Sequence, residues 1–221
     1  MDVYEAVDTR RAVRAFSDEP VPKEILERVL AAATRAPSSG NLQPWHVYVV
    51  TGEPLAELKK RARARALAGD AGDEREYPMY PAELSSPYLD RFSAAAAQRY
   101  TALGIARDDP GRSKKITALN TEAFGAPVAL FCYLDRAMGP AQWGDAGMYL
   151  QTVMLLLRAE GLHSCPQMMW TMYRTTVAQT VGADDGHTLF CGVAVGFEKE
   201  GVPPLRTGRA GMRETVSFIG E

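Results

Sequence analysis

The amino-acid sequence predicts an α/β or α+β sandwich built on a small mixed sheet. Three observations point there. Strand-like apolar runs number only four or five, and they are interleaved with segments of helical period. One helical segment, residues 143–161, is apolar nearly all round from Met148 to Leu157 and must be buried at the centre of the fold, in a dimer interface, or both. No internal repeat, low-complexity tract or flexible linker interrupts the 221 residues, so they are read as a single domain, 1–221. A chain of this length buries roughly 70–75% of its unfolded surface and needs no covalent staples.

The elements follow in order. Val3 and Val7, four apart, mark a short first helix. "DEPVPKEILERVLAAATRA" is amphipathic, with Pro22 at its start and Ile25, Leu26, Val29, Leu30 and Ala33 on one face. It stops at the breaker cluster "APSSGNLQPW". "HVYVVT" (46–51) has the period of a strand. Residues 54–68 form a basic helix whose cations are read as a solvated face, because its apolar stripe is weak and no aromatics are interleaved. Residues 69–87 are irregular. A helix is expected at 88–106, followed by a loop at "RDDPGRSKK". "PVALFCYLD" (127–135) and "LFCGVAVGF" (189–197) are buried strands between turn signals. The tail from 203 to 221, with two prolines and three arginines in "PPLRTGRAGMR", has no helical period and reads as an extended arm, ending in a short strand at "TVSFI".

Composition excludes several functions. Apolar residues make 46% of the chain and charged residues 24%, with a net charge of −2. Basic patches are therefore local, and neither a nucleic-acid nor a membrane partner is expected. The longest apolar stretch is too short to span a bilayer. Cys132, Cys165 and Cys191 are dispersed in apolar runs without CxxC spacing, which suits inert thiols in a reducing cytoplasm. "MDVYEAVDTRR" has no apolar leader segment. His46, His163 and His187 lack ligand spacing, so no metal site is expected. The chain has no GxxxxGK[ST], no GxGxxG after a strand and no GxSxG.

Two clusters carry the remaining chemistry. Arg10, Arg11 and Arg14 crowd into "RRAVRAF", and Arg206, Arg209 and Arg213 lie in the arm. Brought together they would form an anion site with forked donors suited to phosphate. Taken singly, each arginine is explained by a surface pair with a carboxylate. "APSSGNLQPW" supplies Ser38, Ser39, Asn41 and Gln43 at a helix end. It is either a capping turn or a set of donors for a planar ligand rich in heteroatoms.

In combination these motifs resemble the FMN-dependent nitroreductase family. "RRAVRAF" looks like that family's RRSxRxF opening, with Ala12 in place of the usual serine. "APSSGNLQPWHVYVV" is similar to its second motif almost letter for letter. "NTEAFGAPVALFCYLD", "GLHSCPQ" and "VGFEKEGVPPLRTGRAGMRETVSF" resemble its middle and end, with Thr207 where some members carry lysine. The resemblance covers roughly 1–54 and 119–218 and omits 55–118.

The resemblance implies an α+β, nitroreductase-like sandwich with a small mixed central sheet flanked by helices, assembled as an intertwined homodimer whose extended tails wrap the partner. It implies FMN at the subunit interface and NADPH or NADH as electron donor. By resemblance, Arg10 and Arg209 hold the phosphate, with Arg206 nearby and Arg11 near the ribityl chain, while Arg14 faces the N1/O2 edge of the ring. Pro37, Ser38, Ser39 and Asn41, with Gln43 close by, come from the other subunit. Asn120 meets the pyrimidine edge, and Pro166, Gln167, Met168 and Met169 pass close to N5. No side chain acts as nucleophile or metal ligand. The implied activity is ping-pong reduction of a small flat acceptor, nitroaromatic or quinone-like. Reductive dehalogenation, ene reduction, flavin fragmentation and non-catalytic flavin binding are the alternatives. The 55–118 segment is either a substrate-choosing lid carrying Tyr77, Tyr80, Tyr88, Phe92 and Tyr100, or a helical excursion packed on the body.

Overall fold

The computed structural model describes residues 1–106 and 108–220. Arg107 and Glu221, the first residue of the expected second loop and the last of the arm, lie outside them. Four strands form one sheet in the order β1 (Trp45–Thr51), β2 (Val128–Asp135), β4 (His187–Gly196), β3 (His163–Gln167). All three strand pairs are antiparallel. The parallel component of the expected mixed sheet is confined to one bridge, Ala12 to Ser164.

Helices cover both faces, which makes the fold α+β. On one face lie α2 (Lys23–Ala33) and α6 (Pro140–Ala159), packed against Val128, Leu130, Cys132 and Leu134 of β2. On the other lie α3 (Gly52–Leu67) and α7 (Arg174–Val181), with Phe131 and Tyr133 facing them. Alternate residues of β2 thus enter two different cores, and its continuous apolar run follows from that. Trp170, fully buried, lies edge-on to Phe131 with ring centroids 5.4 Å apart. A Cβ at Gly192 would stand 2.5 Å from its ring, so the sheet leaves out a side chain where the indole rests.

Several elements depart from the sequence-based expectations. The loop at "RDDPGRSKK" is shorter than expected, because α5 (Arg112–Thr121) begins directly after Gly111. Its first turn is polar, and its apolar residues Ile116 and Leu119 are too few to show a period. "TVSFI" is not a strand: after the one-turn helix α8 (Met212–Thr215) the tail pairs with no strand among the described residues. The cations of α3 fasten it down rather than simply facing water. Arg65 reaches Asp70, Asp73 and Thr176, Arg63 pairs with Glu122, and Lys59 Nζ donates to the Ala126 carbonyl. The irregular stretch 69–87 is laid on the body through Asp73, which accepts from the Thr175 N–H and hydroxyl, and through Tyr77, which donates to the Phe190 carbonyl. Gly72, at φ +90°, lies where a Cβ would stand 2.8 Å from the Met172 carbonyl oxygen.

The helix at 143–161 is not covered on every side within one protomer. Asp145, Ala146, Tyr149, Leu150, Val153, Met154 and Leu157 are buried. Gly144, Gly147, Met148 and Gln151 form an exposed stripe at helical spacing. The short helix α1 (Val3–Thr9) likewise buries only Ala6 and leaves Val3 and Val7 open. Among the described residues no helix is long and apolar enough to cross a membrane.

Candidate cofactor site

The segment 10–16 is stitched into the sheet by its backbone. Val13 N–H donates to the Ser164 carbonyl, Phe16 N–H to Phe124, and Lys199 N–H to Ala15. Val13 and Phe16 are buried beneath it. The apolar residues of "RRAVRAF" therefore hold the strand edge, and the arginines stand along β3.

Those arginines sort by partner. Arg11 closes both guanidinium branches on Glu198, and Arg206 donates to the carboxylate and carbonyl of Asp8. Both follow the ordinary surface-pair explanation. Among the described residues Arg10, Arg14 and Arg209 have no carboxylate partner. Arg14 donates only to the Ala12 carbonyl at 3.2 Å, and Arg209 only to Thr207 and the Gly208 carbonyl of its own tail. Arg10 and Arg209 approach each other: partial burial, then the Arg209 charge, depresses the Arg10 guanidinium.

β3 is an edge strand, and Pro166 is its exposed residue. A proline without an N–H is tolerated there. Gln167 turns inward instead. Its amide donates to the Asn120 carbonyl (3.0 Å) and Oδ1 (3.2 Å), and its oxygen accepts from Trp170 Nε1 (3.1 Å). Asn120 in turn donates to the Ile116 carbonyl. Both side chains are thus engaged inside the protein and brace the turn at Met168–Tyr173, leaving Met168 and Met169 half-buried beside Pro166.

The loop of the second motif is shaped by its own groups. Gly40, Asn41 and Gln43 take positive φ, Ser38 Oγ accepts from the Gln43 N–H, and the Gln43 amide donates to the Asn41 carbonyl. Pro37, Ser39, Asn41 and Gln43 are exposed. Asp145, 3% exposed, holds the loop by accepting from the Ser39 N–H at 3.1 Å. Sequence reasoning missed this residue; an acid inside an otherwise apolar helix was the available signal. At the other end of α6, Arg158 donates to the Leu162 carbonyl and to Thr9, next to Arg10. Asp145 and Arg158 are thirteen positions apart, or ~20 Å along the helix. The loop and the arginines of one protomer therefore stand at opposite ends of α6.

Burial, with Arg158 next, pushes His163 down to about 4, against Glu198 at 3.7 Å. Its folded value lies below the unfolded one, so the unfolded chain takes up the proton first. Stability is full above pH 6.5 and falls between pH 6.5 and 4, by at most ~3 kcal/mol. Urea unfolding at pH 7.5 and 4.5 measures this, and His163→Gln flattens the dependence. Cys132, Cys165 and Cys191 are free, and burial raises all three thiols, Cys165 to about 11 and Cys191 to about 12. No thiolate nucleophile is available at neutral pH. Replacing all three by alanine is expected to lower the melting temperature while turnover per bound cofactor persists. Among the described residues no group of three His, Cys, Asp or Glu is placed to hold a metal.

Comparison with known proteins gives the family. Residues 7–197 match the model described as the nitroreductase family. The chain is 32% identical over 221 residues to a nitrobenzene nitroreductase of Ectopseudomonas oleovorans, covering 99% of this chain and 97% of that protein. It is 33% identical over 225 residues to a 4-nitrobenzoate reductase of Pseudomonas putida, at 99% and 96% coverage. Among solved structures, the FMN and NADPH-dependent nitroreductase NfnB from sphigopyxis sp. strain HMH superposes with a TM-score of 0.95 at 44% identity over the whole of both chains. The FMN-dependent nitroreductase NfnB from Mycobacterium smegmatis, solved in complex with NADPH, gives 0.89 at 31% identity, covering 99% of this chain and all of that one. With the family model spanning most of its length and relatives above 30% identity along nearly all of it, the chain belongs to the nitroreductase family.

Proposed function

We propose that this protein is an FMN-dependent NAD(P)H oxidoreductase acting on nitroaromatic or quinone-like flat acceptors, and that it works as an intertwined homodimer. The observation that carries the reading is the set of arginines that, among the described residues, have no carboxylate partner: Arg10 and Arg14, in the segment bridged to β3 at Ser164, and Arg209, whose charge acts on Arg10. A phosphate dianion and a ring that gains negative charge on reduction both need fixed cations, and these residues fit them. When bound, FMN supplies a two-electron relay in a ping-pong cycle, taking hydride from NAD(P)H and passing electrons to the acceptor. Arg10 and Arg209 bind the phosphate. Arg14 holds charge at the pyrimidine edge. Pro166, Met168 and Met169 line the ring, and Gln167 and Asn120 keep that turn rigid. The relatives with nitrobenzene and 4-nitrobenzoate in their names support the acceptor class.

Three features support the dimer. The exposed stripe of α6 is apolar apart from Gln151. Phe218 and Ile219 of the arm, 66% and 94% exposed, find no cover in their own chain. The second-motif loop is separated from the arginines of its own protomer by the length of α6, whereas a two-fold partner can bring its loop to them. The segment 55–118 contributes an aromatic rim for a flat acceptor: Tyr80 and Phe92 meet edge to face at 5.2 Å, and Tyr88 stands exposed beside them.

Purified protein should be yellow. Anaerobic NADPH should bleach it, and nitroaromatics or quinones should restore the colour. Yellow protein that NADPH leaves unbleached would mean a flavin-binding protein without this activity. Faster turnover of halophenols or enones would move the chemistry to dehalogenation or ene reduction.

A further inference from the structure

The helix α4 (Tyr88–Ala102) lies in the segment outside the family motifs and runs beside the C-terminal arm. One face of it, Arg91, Ala94, Ala95 and Gln98 at helical spacing, lines a groove of about 590 Å³. The facing wall is the arm, with Arg209 and Glu214. The groove has a direction. At the C-terminal end of the helix, Ala102 and Leu103 line a narrow crevice with residues 11–15, and Arg209 acts on Arg10. Arg91 stands eleven positions before Ala102, ~16 Å back along the helix axis. A small flat acceptor beside the arginine segment does not extend to Arg91, whereas a longer molecule lying in the groove does.

Arg91 is available to such a molecule. Among the described residues it donates only to Glu214, at 3.2 Å, with the two side chains 39% and 59% exposed. An ion pair this open contributes little and exchanges readily for a phosphate. Glu214 does not depend on it, since its other oxygen accepts the Gly211 N–H at 2.8 Å. Counting Arg209, which has no carboxylate of its own, the groove holds two guanidinium forks against one carboxylate. That excess of forked positive charge suits a ligand with more than one phosphate.

We propose that this groove takes the adenosine half of the NAD(P)H donor and that Arg91 holds the 2′-phosphate, so that the protein prefers NADPH to NADH. This rests on the FMN oxidoreductase reading above. The 2′-phosphate is the group by which the two donors differ, and a planar fork at the outer end of the groove distinguishes it from a ribose hydroxyl. The test uses Arg91→Gln, Arg91→Lys and Glu214→Gln in the full chain with FMN bound. In Arg91→Gln, kcat/KM for NADPH should fall roughly ten- to a hundredfold, the loss of one charge-assisted pair, while that for NADH stays unchanged. Arg91→Lys should keep part of the preference. Glu214→Gln should raise kcat/KM for NADPH, because the carboxylate that competes for Arg91 is gone. Equilibrium dialysis reads the groove without turnover: wild-type protein should hold 2′,5′-ADP more tightly than 5′-AMP, and Arg91→Gln should bring the two together. Equal weakening of NADPH and NADH in Arg91→Gln, or an unchanged ratio between them, overturns the proposal. So does a variant that loses FMN instead, since the groove would then seat the flavin phosphate. Wild-type protein that binds no FMN, or that neither donor bleaches, would defeat the underlying reading, and the dialysis would still decide the groove.

Discussion

Replacing Arg10 and Arg209 together by alanine should lower the affinity of the apoprotein for FMN by at least two orders of magnitude. The two guanidinium groups approach each other without a carboxylate between them, and burial depresses Arg10 further. In the proposed site a shared phosphate would relieve that repulsion and accept their hydrogen bonds. A charge-assisted pair is worth ~1.5–3 kcal/mol, so Arg209→Ala alone should cost roughly ten- to a hundredfold. The double variant falls short of the sum, because each arginine loses the repulsion of the other. Turnover per bound flavin should change little, since the phosphate is remote from the reacting atom. Arg14→Ala should fail differently. In the proposed placement its charge acts on the ring, where negative charge appears on reduction, so the midpoint potential and the rate of reduction by NADPH should fall while oxidised FMN stays bound. Titration with FMN and stopped flow at saturating flavin separate the two. Loss of FMN from both variants with no change in potential would make Arg14 a second phosphate ligand.

Met148→Glu should convert the protein to a monomer that retains no FMN. Met148 is 43% exposed in the middle of the open α6 stripe, between Gly144 and Gln151. In a two-fold interface centred on this helix, each glutamate enters an apolar contact and also meets its symmetry mate. Burying an unpaired carboxylate costs several kcal/mol, and here two are buried at once. The protomer should stay folded, because the side chain faces away from both cores. Sedimentation at micromolar concentration and the flavin absorbance of the same sample give the answer. A stable, FMN-saturated monomer would remove the need for a two-subunit site.

Much of the fold was legible because some segments carry their structure locally. "KEILERVLAAA" repeats its apolar residues at helical spacing, and Leu26, Val29 and Ala33 are buried accordingly. "VALFCYLD" had to lie between two cores, since no face of it could meet water. "APSSGNLQPW" is a turn made by its own short polar side chains and glycine. The candidate site residues were assigned by the resemblance of these motifs to a family, not by local structure. Pairing was not. Arg10 and Arg11 are neighbours, but only the fold brings Glu198, 187 positions away, to Arg11 and leaves Arg10 without a carboxylate. Gln167 could be placed beside the ring by motif, but its side chain turns inward because Asn120 and Trp170 converge on it in space. α5 has too few apolar residues to announce itself and is held by packing against α3. "TVSFI" has the composition of a strand, yet a strand forms only where another backbone offers its hydrogen bonds. The sequence alone therefore determined the elements with local periodicity and the motif loop. Tertiary structure decided which charges are neutralised, which amides are satisfied and which apolar faces stay open, because those depend on neighbours distant in the chain.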